Sequence, residues 1–250
     1  MRRWFNIALL NFGIAAVIGC VLRAIYIWEI PFVRFRPLLN AHYHVAMIGW
    51  ALIAMVVFML QDETGKGPSR TSNILLAVTQ LTVLGMLFGF PVQSYGTFIN
   101  TVSAVQMLAS YWLAVQVWRA TRTWRANGSR LLTRMAVVLM FISTLGVWAL
   151  GPIISSGGFG TEIYYWSIQW FLHFQLNGWF WFGALALWSR WAETHGARHV
   201  LDRFTIRLWL VSVVLTFALA IAWSEHHWTV YAVNSIGVVL QLWAGWRTAK

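Results

Sequence analysis

The chain has 250 residues, of which 59% are hydrophobic and only 10% charged, with a mean hydropathy of +0.64. Soluble domains carry about a quarter charged residues, so a soluble globular protein is excluded and one all-α integral membrane domain over 1–250 is expected. A single cysteine, Cys20 in an apolar run, leaves neither a disulfide framework nor a thiolate metal site. The net charge of +11 would suggest nucleic acid in a soluble chain; in a membrane chain it reads as orientation, and no nucleic-acid partner is needed.

Spanning helices need about 20 apolar residues each. In chain order, such runs lie at 6–27, 38–60, 72–91, 97–118, 131–153, 164–188, 205–224 and 228–246, which predicts a polytopic bundle of about eight transmembrane helices. The first run follows Arg2 and Arg3 and has no small-residue cleavage site after it, so it reads as a retained helix. With both termini in the cytoplasm, the inner segments are the two ends, 61–71, 119–130 and 189–204. Counting Arg134 and Arg207 at adjoining helix ends, these hold 15 of the 18 basic residues. The remainder, Arg23, Arg34 and Arg36, sit at the outer end of the first hairpin. That asymmetry supports the span count and this orientation, and the expected location is a bacterial inner membrane. The 18 Trp suit interfacial belts, although Trp179 and Trp181 fall mid-helix.

Ionisable groups within the bilayer are costly and mark function by default. The acidic residues Glu29, Asp62, Glu63, Glu162, Glu193, Asp202 and Glu225 all fall in loops or at helix ends. Of the histidines, His195 and His199 belong to a basic inner loop. His42, His44, His173, His226 and His227 lie in or beside spans, all toward the outer side. His173 stands roughly 15 Å into the sixth span from its outer end. Imidazole is the commonest neutral metal ligand, so five histidines drawn from three hairpins point to a transition-metal or haem site. Each also has a plainer reading: an interfacial hydrogen-bonding histidine at His42 or His44, a helix–helix contact at His173, a solvated turn at His226–His227.

The pair His226-His227 beyond a seventh span, with His173 in a sixth, resembles the non-haem metal site of the haem-copper oxygen reductase and nitric-oxide reductase superfamily. There, a helix-six histidine and a His-His pair bind copper or iron opposite a haem. The string Trp170-Phe171-Leu172-His173-Phe174-Gln175-Leu176-Asn177-Gly178-Trp179 is similar to the helix-six segment of nitric-oxide reductases, with Asn177 where they carry glutamate. The string from Arg36-Pro37 to His42-Tyr43-His44 and Gly49-Trp50 resembles two family features, a helix-two haem ligand and the two-histidine helix ten. Two residues apart, His42 and His44 lie about 200° apart around a helix and can serve two planes. The segments 80–86 and 90–96 are shared with a short, divergent bacterial branch of such proteins.

The resemblance implies a truncated subunit-I-like bundle binding haem, of b type. His42, His44 or both would be axial ligands, and Arg34 and Arg36 would meet the propionates. His173, His226 and His227 would hold copper or iron, with Asn177 bordering the site. The implied activity is binding or reduction of a diatomic gas, NO before O₂, with electrons from an external cytochrome c or quinol. The chain departs from the family in having about eight spans rather than twelve, no separate helix ten, no Tyr four residues after His173 and no mid-span carboxylate. A homo-oligomer or second subunit would complete the helix ring. The alternative with the same ligands is a non-enzymatic haem or copper carrier, assembly factor or NO sensor. A di-iron oxidase fits less well, since only His195 and His199 have His-x-x-x-His spacing, and nothing marks the broken helices of a transporter.

Overall fold

The computed structural model describes residues 1–61, 67–93, 95–124, 127–196 and 200–249, without the side chain of Asn127. Asp62, Glu63, Lys66, Ser94, Arg125, Arg198, His199 and Lys250 lie outside the described residues. The described residues form eight long helices: α1 (Arg2–Ala24), α2 (Phe35–Met59), α3 (Arg70–Gln93), α4 (Thr97–Ala120), α5 (Asn127–Ser155), α6 (162–194), α7 (Arg203–Ile221) and α8 (Trp228–Thr248). No strand occurs among the described residues. They stand where the apolar runs are, because an apolar run in lipid can satisfy its backbone only within a helix. The breaks between them fall at Pro, Gly and charged stretches. The turn after α5, for instance, uses Gly157 at φ 82° and Gly160 at φ 77°, left-handed positions that favour glycine.

Six helices, α1 to α5 and α7, are long and apolar enough to cross a membrane. They also expose large apolar side chains such as Leu10 (65%), Leu81 (66%) and Leu108 (60%), a surface that suits lipid rather than water. The chain is therefore a helical membrane protein. Helices α6 and α8 fall outside that set and are rich in ring residues that lower hydropathy, among them Tyr164, Tyr165, Trp166, Trp170, Trp228 and Tyr231.

The chain divides into two compact units, Met1–Thr123 and Trp124–Lys250. In unit 1, α2 lies against both α1 and α3, and α3 also packs on α4. Its core is Ala41, Met86, Phe90 and Ile99 beside Ala15, Val45 and Val83. In unit 2, α5 packs on α6, α6 on α7 and α7 on α8. The α5 and α6 backbones approach at Gly146, where an added Cβ would collide with the Ser167 carbonyl. Glu193 Oε1, near the end of α6, accepts from the Ser129 amide in the first turn of α5 at 3.4 Å. Asp202 caps α7 by accepting from Thr205 N at 2.9 Å and pairs with Arg247 near the end of α8 at 2.8 Å.

Both second helices change pitch. In α2 the stretch Val45–Leu52 is π-helical, and in α6 Phe174–Phe180 is. Wide turns of this kind release backbone carbonyls and recur at functional sites. In unit 1 one such carbonyl is used: Asn11 Nδ2 on α1 donates to Gly49 O at 2.8 Å.

Candidate haem and metal positions

The two histidines of α2 face different neighbours. His42 is half-buried against α1, its Nδ1 3.0 Å from Ala15 O, and Gly19 leaves the room its ring occupies. His44 turns toward α3: its Nδ1 is 2.8 Å from Asn40 O, one turn back on its own helix, and its ring lies 4.9 Å from that of Phe90. A carbonyl can only accept, so Nδ1 carries the proton in both rings. Nε2 is then the nitrogen with the free lone pair, and neither residue has a hydrogen bond to it among the described residues. An imidazole anchored by N–H to a carbonyl is the usual state of a metal-ligating histidine, since the anchor fixes tautomer and ring plane. The donor set at α2 fits an axial haem ligand.

The two arginines differ in their surroundings. Arg34 Nη2 donates to Pro91 O at 3.0 Å and Val92 O at 3.4 Å, satisfying the carbonyls left over at the C-terminal end of α3. Arg36 is exposed one residue before Pro37. A cleft of about 240 Å³ opens beside Arg34, lined by Val17, Ile18 and Val21 of α1, Pro37 and Leu38 of α2 and Pro91 of α3. It is apolar apart from the guanidinium.

In unit 2 the arrangement is less open. His173 Nε2 donates to Val213 O of α7 at 2.7 Å, and the other nitrogen, Nδ1, accepts from the Asn177 amide at 3.3 Å. Both ring nitrogens are engaged, the ring packing on Phe174 and Phe217. His227 caps α8, its Nδ1 accepting from Thr229 N at 3.4 Å and lying 2.8 Å from Thr229 Oγ1. That role leaves the proton on Nε2. His226 and His227 are exposed. Among the described residues no three His, Cys, Asp or Glu side chains form a group that could hold a metal ion. The residues His173, His226 and His227 as they stand do not fit a three-imidazole metal site. His195, just past the end of α6, is spent locally, its Nδ1 2.8 Å from Trp191 O.

Neutral polar groups, inconspicuous beside charged ones in the sequence, link the helices in the interior. Asn11, 1% exposed, also donates to Gln80 Oε1 of α3 at 2.8 Å, and Gln80 returns a bond to Asn11 Oδ1 at 3.3 Å. Thr82 donates to Gln106 Oε1 at 2.8 Å, linking α3 to α4. In unit 2, Ser143 of α5 donates to Gln175 Oε1 of α6 at 2.8 Å. Their signal was simply a lone Asn or Gln within an apolar run. A second overlooked signal is a repeated string: His44 and His173 are each followed five and six residues on by Gly-Trp, Gly49-Trp50 and Gly178-Trp179.

No family model matches the chain, and neither does any curated protein or solved structure.

Proposed function

We propose that the chain is an integral membrane haem protein that binds a diatomic gas, NO before O₂, with its axial imidazoles on α2. The observation that carries this is the pair His42 and His44, each tied to a carbonyl through Nδ1 with Nε2 left as the ligating atom. Arg36 and the remaining donors of Arg34 are the groups suited to the haem carboxylates. A haem held by His42 or His44 would supply one-electron redox chemistry and an iron able to bind the gas, in apolar surroundings that would tune its potential. The residues' own part is to hold the imidazole planes, exclude water and neutralise the propionates.

The resemblance to the nitric-oxide and oxygen reductases belongs to this reading, as do a b-type haem, eight spans with α6 and α8 included, cytoplasmic termini and a bacterial inner membrane. The 15-to-3 division of basic residues supports the orientation. Reduction of the gas needs electrons from another chain, a cytochrome c or a quinol-fed partner, because no Cys-x-x-Cys-His is present. The engagement of both His173 nitrogens favours the second reading, a non-enzymatic NO sensor or haem carrier with the same α2 ligands. A copper or iron ion at His173, His226 and His227 requires those side chains to rearrange.

The test is an optical spectrum of full-length protein purified after expression with ample haem, recorded before and after NO. A Soret band that shifts with NO is expected. Protein of full helical content without a Soret band overturns the proposal. Catalytic NO loss with an artificial donor favours the enzyme; a band shift without turnover favours the sensor.

A further inference from the structure

The connection from α1 to α2 carries Tyr26, Ile27, Trp28 and Phe32, all exposed. Phe32 stands at φ 67°, a left-handed position that strains a bulky residue, and its ring still finds no cover. Aromatic side chains of this kind settle at the headgroup level of a bilayer, so the connection belongs in that layer. Arg23, Arg34 and Arg36 flank it, the three basic residues outside the 15 that mark the other side. None of the three has an ion pair among the described residues, although Glu29 lies within the connection. Arg34 is held in place. Its Nη2 is tied to Pro91 O and Val92 O at the end of α3, while Nε and Nη1 have no partner among the described residues. The guanidinium borders the cleft of about 240 Å³, where Val17, Ile18 and Val21 of α1 and Leu38 of α2 supply aliphatic walls. A dry cavity of about 150 Å³ takes a benzene ring, so this cleft has room for several methylenes of a chain.

We propose that this cleft is a binding site for an anionic phospholipid, with part of one acyl chain along α1 and the phosphate on the unused donors of Arg34. The occupant follows from the chemistry of the walls. A fixed guanidinium selects an oxyanion through charge-assisted hydrogen bonds, and the aliphatic lining selects a hydrocarbon attached to it. An acidic amphiphile supplies both. The exposed aromatic residues place the mouth of the cleft at the depth of lipid headgroups, and basic pockets between transmembrane helices bind such headgroups. A zwitterionic lipid offers the same phosphate but brings its own cation beside Arg34, so the anionic lipid is preferred. The site lies wholly within unit 1. It goes beyond the haem reading and does not depend on it, since Arg36 stays free for a haem carboxylate.

The experiment titrates delipidated full-length protein in detergent with phosphatidylglycerol or phosphatidylcholine of matched chains, and counts bound lipid by native mass spectrometry. Helical content is checked alongside. The parent is expected to bind one phosphatidylglycerol about tenfold more tightly than phosphatidylcholine, the scale of one charge-assisted hydrogen bond. Arg34→Gln is expected to erase that preference. Val17→Trp, which fills the exposed edge of the cleft and keeps the guanidinium, is expected to weaken phosphatidylglycerol binding. Arg23→Gln removes the same charge from the same end but outside the cleft, and is expected to change neither. If Arg34→Gln does not fold, Val17→Trp and Arg23→Gln decide. Equal affinity of the two lipids in the parent, or a preference that survives Arg34→Gln, overturns the proposal. So does a loss as large in Arg23→Gln, which marks diffuse charge, or unchanged binding in Val17→Trp. Displacement of the lipid by inorganic phosphate overturns it in favour of a bare oxyanion site.

Discussion

At the scale of single residues, the molecule separates groups that only carry structure from groups left with unused bonding capacity. Asn11 is the clearest of the first kind. Its amide serves the carbonyl released by the π-helical turn at Gly49 and the Gln80 side chain together. Asn11→Ala leaves both unpaired in the interior, at a cost of about 1–2 kcal/mol, and should lower the thermal midpoint in detergent without changing helical content. His44 is of the second kind, since one nitrogen is anchored and the other is free. The sequence made the α2 histidines visible because a titratable group in an apolar run is conspicuous. It did not show that His173 is held by Val213, because that bond joins positions 40 residues apart and depends on how α6 and α7 pack. Asn11 and Gln80 stayed invisible for a different reason: an uncharged amide barely disturbs an apolar pattern.

At the scale of the helix, the eight runs and their ends were legible from apolar length and from breakers. Pro91 and Pro152 sit in the last turns of α3 and α5. The π-helical stretches were not legible, because a change of pitch by one residue leaves an all-apolar surface looking the same. Where helices touch depends on small residues. Gly146→Ala must push α5 off the Ser167 carbonyl, an overpacking cost of about 1–3 kcal/mol, and should appear as a lower midpoint of thermal aggregation. The junction of α7 and α8 supplies a pH-dependent test. Asp202 is held below the usual carboxylate value of 3.8, first by its hydrogen bonds to Thr205 and then by the Arg247 charge. A lowered carboxylate contributes stability above its ordinary value, and that contribution disappears as pH falls through the lowered one. Asp202→Ala should therefore cost roughly 1 kcal/mol at neutral pH, mostly as a lost helix cap. The difference from the parent should close on acidification toward pH 3 and below, read by thermal melts across pH. A gap that stays constant with pH would contradict the assignment.

At the scale of the whole molecule, lipid explains the composition. Charge is scarce because six helices have the length and apolar character to cross a bilayer, and the charges that remain among the described residues lie toward helix ends or in the connections. The proposed orientation rests on the distribution of the arginines and has a direct test. A fluorescent protein fused after Lys250 should fluoresce, and alkaline phosphatase fused in the 25–34 connection should be active; the reverse pattern contradicts cytoplasmic termini. No linker or change of composition in the sequence marks the boundary between the two compact units. The central claim is that α2 holds haem through its anchored imidazoles. Its most direct test is the Soret absorbance per chain of the full-length protein beside that of the His42→Ala/His44→Ala double variant, at equal helical content. The account predicts a band in the parent that falls in the variant. No band in the parent, or an equal band in both, would contradict it.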